Sequence, residues 1–276
     1  MTNPEISKSI VAAGIKTNYH DCGEGPVVFL IHGSGPGVTA YANWRLTIPA
    51  LSESFRVIAP DMVGFGYTDR PEGFEYTMEN WVKHIIGLMD ALEIKKAHIV
   101  GNSFGGGLAI AAAIAYPNRI DRMILMGAAG TKFEITDGLN EVWGYEPSIE
   151  NMRSLLDIFA FDRSLVTNEL AILRYEASIQ PGFHESFSSM FPEPRQRWVD
   201  SLASSDERIR SLTNEVLIVH GREDEVVPVS SGLRLAELID QSQLHVFGRC
   251  GHWTQIEQKD RFNTLALNFF KEALDH

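Results

Sequence analysis

At 276 residues the chain fits one large domain or a domain carrying an insertion, and it is long enough to bury a substantial core. Lys and Arg number 24 against 36 Asp and Glu, a formal charge of −12. That balance excludes a basic face for nucleic acid and a basic membrane-surface protein. Two cysteines, Cys22 and Cys250, cannot make a disulfide framework, and no Cys/His cluster has metal-ligand spacing, so reduced thiols and no metal or cofactor are expected.

The first five residues lack the regions of a signal peptide, and no apolar run approaches the ~18 residues of a membrane span, so a soluble cytoplasmic protein is expected. Residues 8–11 and 15–19 flank Ala12-Ala13-Gly14 and predict an antiparallel hairpin at a sheet edge. Apolar runs then recur at 27–31, 56–59, 97–100, 123–126, 216–219 and 244–247, each ending in a Gly- or Pro-containing turn. Such runs suit strands buried on both faces of a parallel sheet. Between them, Trp81, Val82, Ile85, Ile86, Met89 and Leu92 form a helical stripe, as do Phe262, Leu265, Phe269 and Phe270. The alternation predicts an α/β fold with a mostly parallel, doubly wound sheet and right-handed crossovers. It breaks between residues 131 and 212, where helices are expected over 148–161, 167–179 and 194–204, punctuated by Pro181, Pro192 and Pro194. This segment is read as a helical cap over the C-terminal edge of the strands. The core domain is then 1–130 and 213–276, and the cap domain 131–212.

Gly101-Asn102-Ser103-Phe104-Gly105 fits G-x-S-x-G, with a strand running in and the Ala-rich stretch 108–115 running out. Ser103 is the candidate nucleophile, at a helix N-terminus that favours negative charge. The amide of Phe104 is a candidate oxyanion donor, and the loop His32-Gly33-Ser34-Gly35-Pro36-Gly37 is the candidate source of a second. A dinucleotide site is disfavoured because G-x-G-x-x-G spacing is absent.

A serine needs a base. Of nine histidines, His252 lies directly after the last predicted strand, in Gly248-Arg249-Cys250-Gly251-His252-Trp253. His32 and His220 also follow strands, but each precedes a tight Gly turn and reads as structural or part of the oxyanion loop. His84 falls on a helix, His98 and His245 fall inside strands, and His20, His184 and His276 have no supporting context. Asp224 is the candidate orienter of His252, with Glu223 and Glu225 as rivals; Asp61 breaks the chain order Ser…Asp…His.

The chain resembles the α/β-hydrolase superfamily over nearly its whole length. More narrowly, His32-Gly33-Ser34-Gly35-Pro36-Gly37, Gly101-Asn102-Ser103-Phe104-Gly105-Gly106 and Gly251-His252-Trp253 resemble the meta-cleavage product hydrolases, nearest their monoalkylbenzene branch. The resemblance implies hydrolysis of the C5–C6 bond of 2-hydroxy-6-oxo-2,4-dienoates in aromatic (toluene) catabolism, with a small alkyl group at C6 and 2-hydroxy-6-oxohepta-2,4-dienoate the best fit. It implies a triad of Ser103, Asp224 and His252, with oxyanion amides from Phe104 and the Ser34–Gly35 region. It further implies polar groups for the anionic dienoate at Asn43, Asn102, Arg174 and Trp253, a lid aromatic at Phe159, and C6-facing positions at Ala129, Trp143, Val199 and Val227. A homo-oligomer is implied as well. Read alone, Arg174 is a salt-bridge partner of Glu169 or Glu176, and Trp253 is either ordinary core or a ring that stacks on a planar dienoate with its N–H as a polar handle. Ser34 replaces a Gly found in many members. The rival readings are a serine esterase on the same scaffold and a non-catalytic binding protein; dehalogenase and epoxide-hydrolase relatives carry Asp where this chain has Ser103.

Overall fold

A computed structural model describes residues 3–272; His276 and the end of the expected core segment lie outside the described residues. Eight strands form one sheet: β1 (Lys8–Ala12), β2 (Ile15–Cys22), β3 (Val27–Ile31), β4 (Arg56–Pro60), β5 (Ala97–Asn102), β6 (Ile120–Met126), β7 (Val216–Gly221) and β8 (Ser242–Phe247). Their spatial order is β1-β2-β4-β3-β5-β6-β7-β8. The hairpin β1–β2 and the pair β2–β4 are antiparallel, and every other pairing is parallel.

The pleat sends alternate side chains to opposite faces. Val28 and Leu30 of β3 enter one apolar core and Phe29 and Ile31 the other. Both sides of the central strands are covered, so β5 and β7 are buried end to end. The expectation of strands buried on both faces fails for β8, where only Phe247 is fully buried. It lies at the sheet's rim with β7 as its one neighbour, so half of its surface faces solvent.

Helices α1 (Ala40–Trp44), α2 (Ile48–Leu51), α3 (Met78–Ala91) and α4 (Phe104–Ala115) belong to the first half of the sheet. The segment between β6 and β7 holds α5 (Asp137–Trp143), α6 (Ile149–Phe159), a 3-10 turn (Arg163–Leu165), α7 (Asn168–Ser178), α8 (Phe183–Met190), α9 (Gln196–Leu202) and α10 (Asp206–Arg210). Three of these six helices, α5, α8 and α10, are absent from the sequence reading. The chain closes through α11 (Val229–Leu238), α12 (Thr254–Glu257) and α13 (Lys259–Lys271). Trp44, Leu51, Phe262 and Phe270 seal one face of the sheet, whereas α3, α4 and α11 pack on the other, whose core runs on beneath the cap. Thr136, Ser148, Thr167 and Ser205 each cap a helix of the inserted segment by accepting an N–H three residues on. The first three of those helices form the roof, while α9 and α10 rest on α4. Among the described residues no helix is long and apolar enough to cross a membrane.

Candidate active site

Ser103 sits between β5 and α4 at φ 53° and ψ −115°, a strained conformation that β-branched or bulky residues rarely occupy. The turn is tied down on both sides: Ser103 N donates to the Met126 carbonyl at 2.9 Å, and Ala129 N donates to the Ser103 carbonyl at 3.0 Å. It also needs bare backbone. A Cβ on Gly101 would lie 2.3 Å from the Gly105 carbonyl oxygen, and one on Gly105 would lie 2.4 Å from that of Ile31. Gly105→Ala is therefore expected to force β3 and α4 apart, at a cost of ~1–3 kcal/mol. Thermal unfolding should show Tm lowered by ~2–4 °C for each kcal/mol.

The loop after β3 meets this turn. Among the described residues the backbone amides of Ser34, Gly35 and Phe104 donate no hydrogen bond, and Ser34, Phe104 and Ser103 line one cavity. Free amides beside a nucleophile are what a developing oxyanion needs. His32 holds the loop from beneath: its Nδ1 donates to the Gly33 carbonyl at 2.7 Å and its Nε2 accepts from Met62 N at 2.9 Å. Burial pushes its pKa down to about 4, so the ring stays neutral and its tautomer is fixed. The Ser34 hydroxyl accepts from Trp143 Nε1 at 3.0 Å, which ties the oxyanion loop to the cap.

His252 and Asp224 come from the loops after β8 and β7. His252 Nδ1 donates to Asp224 Oδ2 at 2.7 Å, which leaves Nε2 as the unprotonated nitrogen of a neutral ring. His252 lines a cavity together with Ser103, although among the described residues the two side chains share no hydrogen bond. Asp224 Oδ1 accepts from the amides of Val226 and Val227 at 2.8 and 2.9 Å. Burial alone would raise the Asp224 pKa; the opposing pull of His252 and His220 prevails and holds the carboxyl well below the usual range. The rivals are engaged elsewhere. Glu223 accepts from Arg222 and from Cys250 N, and Glu225 is exposed beside Arg163.

Two cavities meet at Ser103. The larger, ≈ 190 Å³, is lined by Asn43, Asn102, Arg174, Phe159, His252 and Trp253 among others. Phe159 stacks on Trp253 with centroids 5.3 Å apart, so the pair forms one aromatic wall. Asn43 Nδ2 is buried without a hydrogen-bond partner, an unspent donor beside the cavity. The smaller cavity, ≈ 10 Å³, is walled by Ala129, Trp143, Val199 and Val227, with Phe133 and Leu202 completing it. The sequence-selected site residues other than Asp224 line one or the other of these cavities, and Asp224 reaches them through His252.

One further contact binds the inserted segment to the loop that carries His252. Glu257 Oε1 accepts from Gly251 N at 2.7 Å, and its Oε2 accepts from Asp162 N at 2.9 Å. Trp253 N donates to the Phe159 carbonyl at 3.1 Å alongside. Cys250, in the same loop, is buried, and its thiol is pushed up to about 12, too weak an acid to act as a nucleophile at neutral pH.

Residues 26–259 match the model of the alpha/beta hydrolase fold. The chain is 61% identical over 267 residues to the 2-hydroxy-6-oxo-2,4-heptadienoate hydrolase of Pseudomonas putida strain F1, covering 97% of each chain. It is 60% identical over 271 residues to the 2-hydroxymuconate semialdehyde hydrolase of Pseudomonas sp. strain CF600, covering 98% of this chain and 96% of that one. The solved structure of the meta-cleavage product hydrolase CumD of Pseudomonas fluorescens IP01, an S103A mutant complexed with acetates, superimposes with a TM-score of 0.98 at 77% identity, covering 98% of this chain and 100% of that one. The chain belongs to the meta-cleavage product hydrolases. It is therefore an enzyme, a hydrolase of carbon–carbon bonds.

In this meta-cleavage product hydrolase the lone reading of Arg174 needs correcting. Its guanidinium does not pair with Glu169 or Glu176. It reaches back to the N-terminal segment and the oxyanion loop, 3.5 Å from Glu5 Oε1 and donating to the Gly37 carbonyl. Helix α7 turns Arg174 inward, whereas Glu169 and Glu176 point outward to solvent. Trp253 is half-buried and forms cavity wall, not core. Two polar lining residues escaped the sequence reading: Arg45, and Gln255, which donates to the Asn43 carbonyl at 3.3 Å. Gln255 lies in the first turn of α12, which begins two residues after His252, so no helical spacing links the two and nothing in the local sequence marks it.

Proposed function

We propose that the enzyme cleaves the C5–C6 bond of 2-hydroxy-6-oxohepta-2,4-dienoate, giving 2-hydroxypenta-2,4-dienoate and acetate, in the breakdown of a monoalkylbenzene such as toluene. The reading rests on the meeting of two unlike cavities at Ser103, one roomy, with polar groups of Asn43, Asn102 and Arg174 set among apolar walls, the other apolar and no larger than a water or a methyl group. A dienoate bearing a C6 methyl has that asymmetry. Its carboxylate suits Arg174, whose guanidinium would exchange its long contact with Glu5 for charge-assisted bonds to the substrate, with Asn43 and Trp253 as further donors. This local cation answers the anion's difficulty with a chain of net charge −12.

His252 first moves a proton, converting the 2-hydroxydienoate to its keto form, so that the new 2-keto group can draw electrons from C5. Ser103, deprotonated by His252, attacks the C6 ketone. The amides of Phe104 and the Ser34–Gly35 region stabilise the oxyanion, each donor being worth ~3–4 kcal/mol of barrier. The C5–C6 electron pair passes into the conjugated ketone as the bond breaks, and water then hydrolyses the acyl-serine.

The substrates are coloured dienolates, so loss of absorbance reports cleavage. Dienoates with hydrogen, methyl, isopropyl or phenyl at C6 are expected to be cleaved fastest for methyl and slowest for phenyl. Single-methylene steps are worth only ~1–3 kcal/mol, so neighbours will overlap. A preference for phenyl overturns the substrate, and no cleavage of any of them, with turnover of p-nitrophenyl esters, overturns the reaction in favour of an esterase. Arg174→Gln is expected to raise KM by ~10–100-fold with a smaller effect on kcat, the scale of one lost hydrogen bond to a charged group. An unchanged KM would remove Arg174 from the carboxylate site.

A further inference from the structure

Behind the triad aspartate lies a second histidine that the reaction as written does not use. His220, at the end of β7, is completely buried. Its Nε2 lies 2.9 Å from the Val227 carbonyl oxygen and 3.4 Å from Asp224 Oδ2. A carbonyl only accepts, so Nε2 carries the proton. That proton therefore also faces the same carboxylate oxygen that receives the proton of His252 Nδ1. On the far side the ring's Nδ1 has no hydrogen-bond partner, and Gly232 of α11 packs so closely that a Cβ there would lie 2.6 Å from it. Asp224 is the sole carboxylate in ion-pair range of the ring among the described residues. Of the packed neighbours, α11 presents the uncharged Gly232, the Val227 loop presents a carbonyl, and the loop after β8 presents His252 across Asp224.

We infer that His220 is a positioning residue for the triad: its Nε2–H clamps Val227, a wall of the acyl cavity, and withdraws charge from Asp224, thereby setting how readily His252 takes a proton. The inference rests on the Ser103–His252–Asp224 reading. It links two things otherwise separate, the basicity of the triad and the position of a C6-facing side chain.

Two variants separate this role from mere filling of space. His220→Phe keeps a ring but loses the N–H; His220→Gln loses the ring but retains an N–H donor. With the N–H gone, Asp224 presents more charge to His252, the imidazolium forms more easily, and the acid limb of the kcat/KM profile moves to higher pH. For His220→Phe that shift should accompany a fall in kcat of about tenfold, the low end for loss of an outer partner of a working residue. His220→Gln should return both toward the wild type. A packing role predicts the reverse, a wild-type profile in Phe and damage in Gln, and that result overturns the inference. If His220→Phe does not fold, the Gln variant decides alone: a wild-type acid limb supports the inference, and a shifted one sinks it. Asp224→Asn, measured in parallel, keeps the two readings apart. Full activity there removes the triad reading and this inference with it, whereas an inactive Asn variant beside a wild-type-like Phe variant removes this inference only.

Discussion

Ser103→Ala is expected to lower kcat for dienoate cleavage by on the order of 10⁴- to 10⁶-fold, with the fold intact. The size follows from what remains. Without Oγ there is no acyl-enzyme route, and the free amides of Ser34, Gly35 and Phe104 can only assist direct attack by water. The fold should survive because the strained φ of 53° at position 103 is imposed by the bonds to Met126 and Ala129, not by the hydroxyl. Substrate should still bind, since Arg174, Asn43 and the Phe159–Trp253 wall are untouched. Two measurements check this. Steady-state bleaching gives the loss in rate, and mass spectrometry of enzyme quenched during turnover should find the acyl group on Ser103 in the parent and none in the variant. Cleavage at the parent rate would defeat the acyl-enzyme mechanism and leave a gem-diol formed by water as the route.

Asp224→Asn is expected to cost about 10⁴-fold in kcat, because the damage is to the tautomer. The amide nitrogen of Asn on the side of Oδ2 would face His252 Nδ1 donor to donor, and the ring would turn over its protonation to Nε2, the nitrogen needed to accept from Ser103. The same variant has a thermodynamic signature. Asp224 has a depressed folded pKa, so the stability it contributes is fully present above the unfolded value of ~3.9 and is lost as pH falls through the folded one. Urea midpoints of the parent should therefore drop below about pH 4, and the Asn variant should lack that share of the slope. Identical acid limbs in the two proteins would show that Asp224 does not carry this linkage.

Local pattern carried the fold. The apolar runs, their Gly-rich ends and the periods of α3 and α13 are properties of short segments, and the edges of β3, β5 and β7 fall where those runs begin or within two residues of where they stop. The order Ser103…Asp224…His252 was legible for the same reason, since each residue stands just past a strand. What escaped depends on distance along the chain. The Trp143–Ser34 bond joins residues 109 apart, and Glu5 meets Arg174 from 169 residues away. Neither pairing has any mark in local sequence. Arg174, Asn43 and the C6-facing residues came from resemblance, not from spacing. Helices α5, α8 and α10, of 7, 8 and 5 residues, are too short to repeat a stripe, so periodicity had nothing to read.

The Glu257 bridge also bears on how such enzymes diversify. Strands β6 and β7 are neighbours, so the whole roof leaves the sheet and rejoins it one strand over. By topology alone it is an exchangeable module, and swapping it is the simplest way to recruit a new substrate. The carboxylate of Glu257 removes that freedom, because it holds the amide of Asp162 in the roof and that of Gly251 beside His252 at once. A chimaera that imports a foreign roof without a backbone amide at that point leaves the histidine's loop half-anchored. Substrate range and catalytic competence are in this way inherited together, and recombination between relatives should succeed only when the crossover preserves that seam.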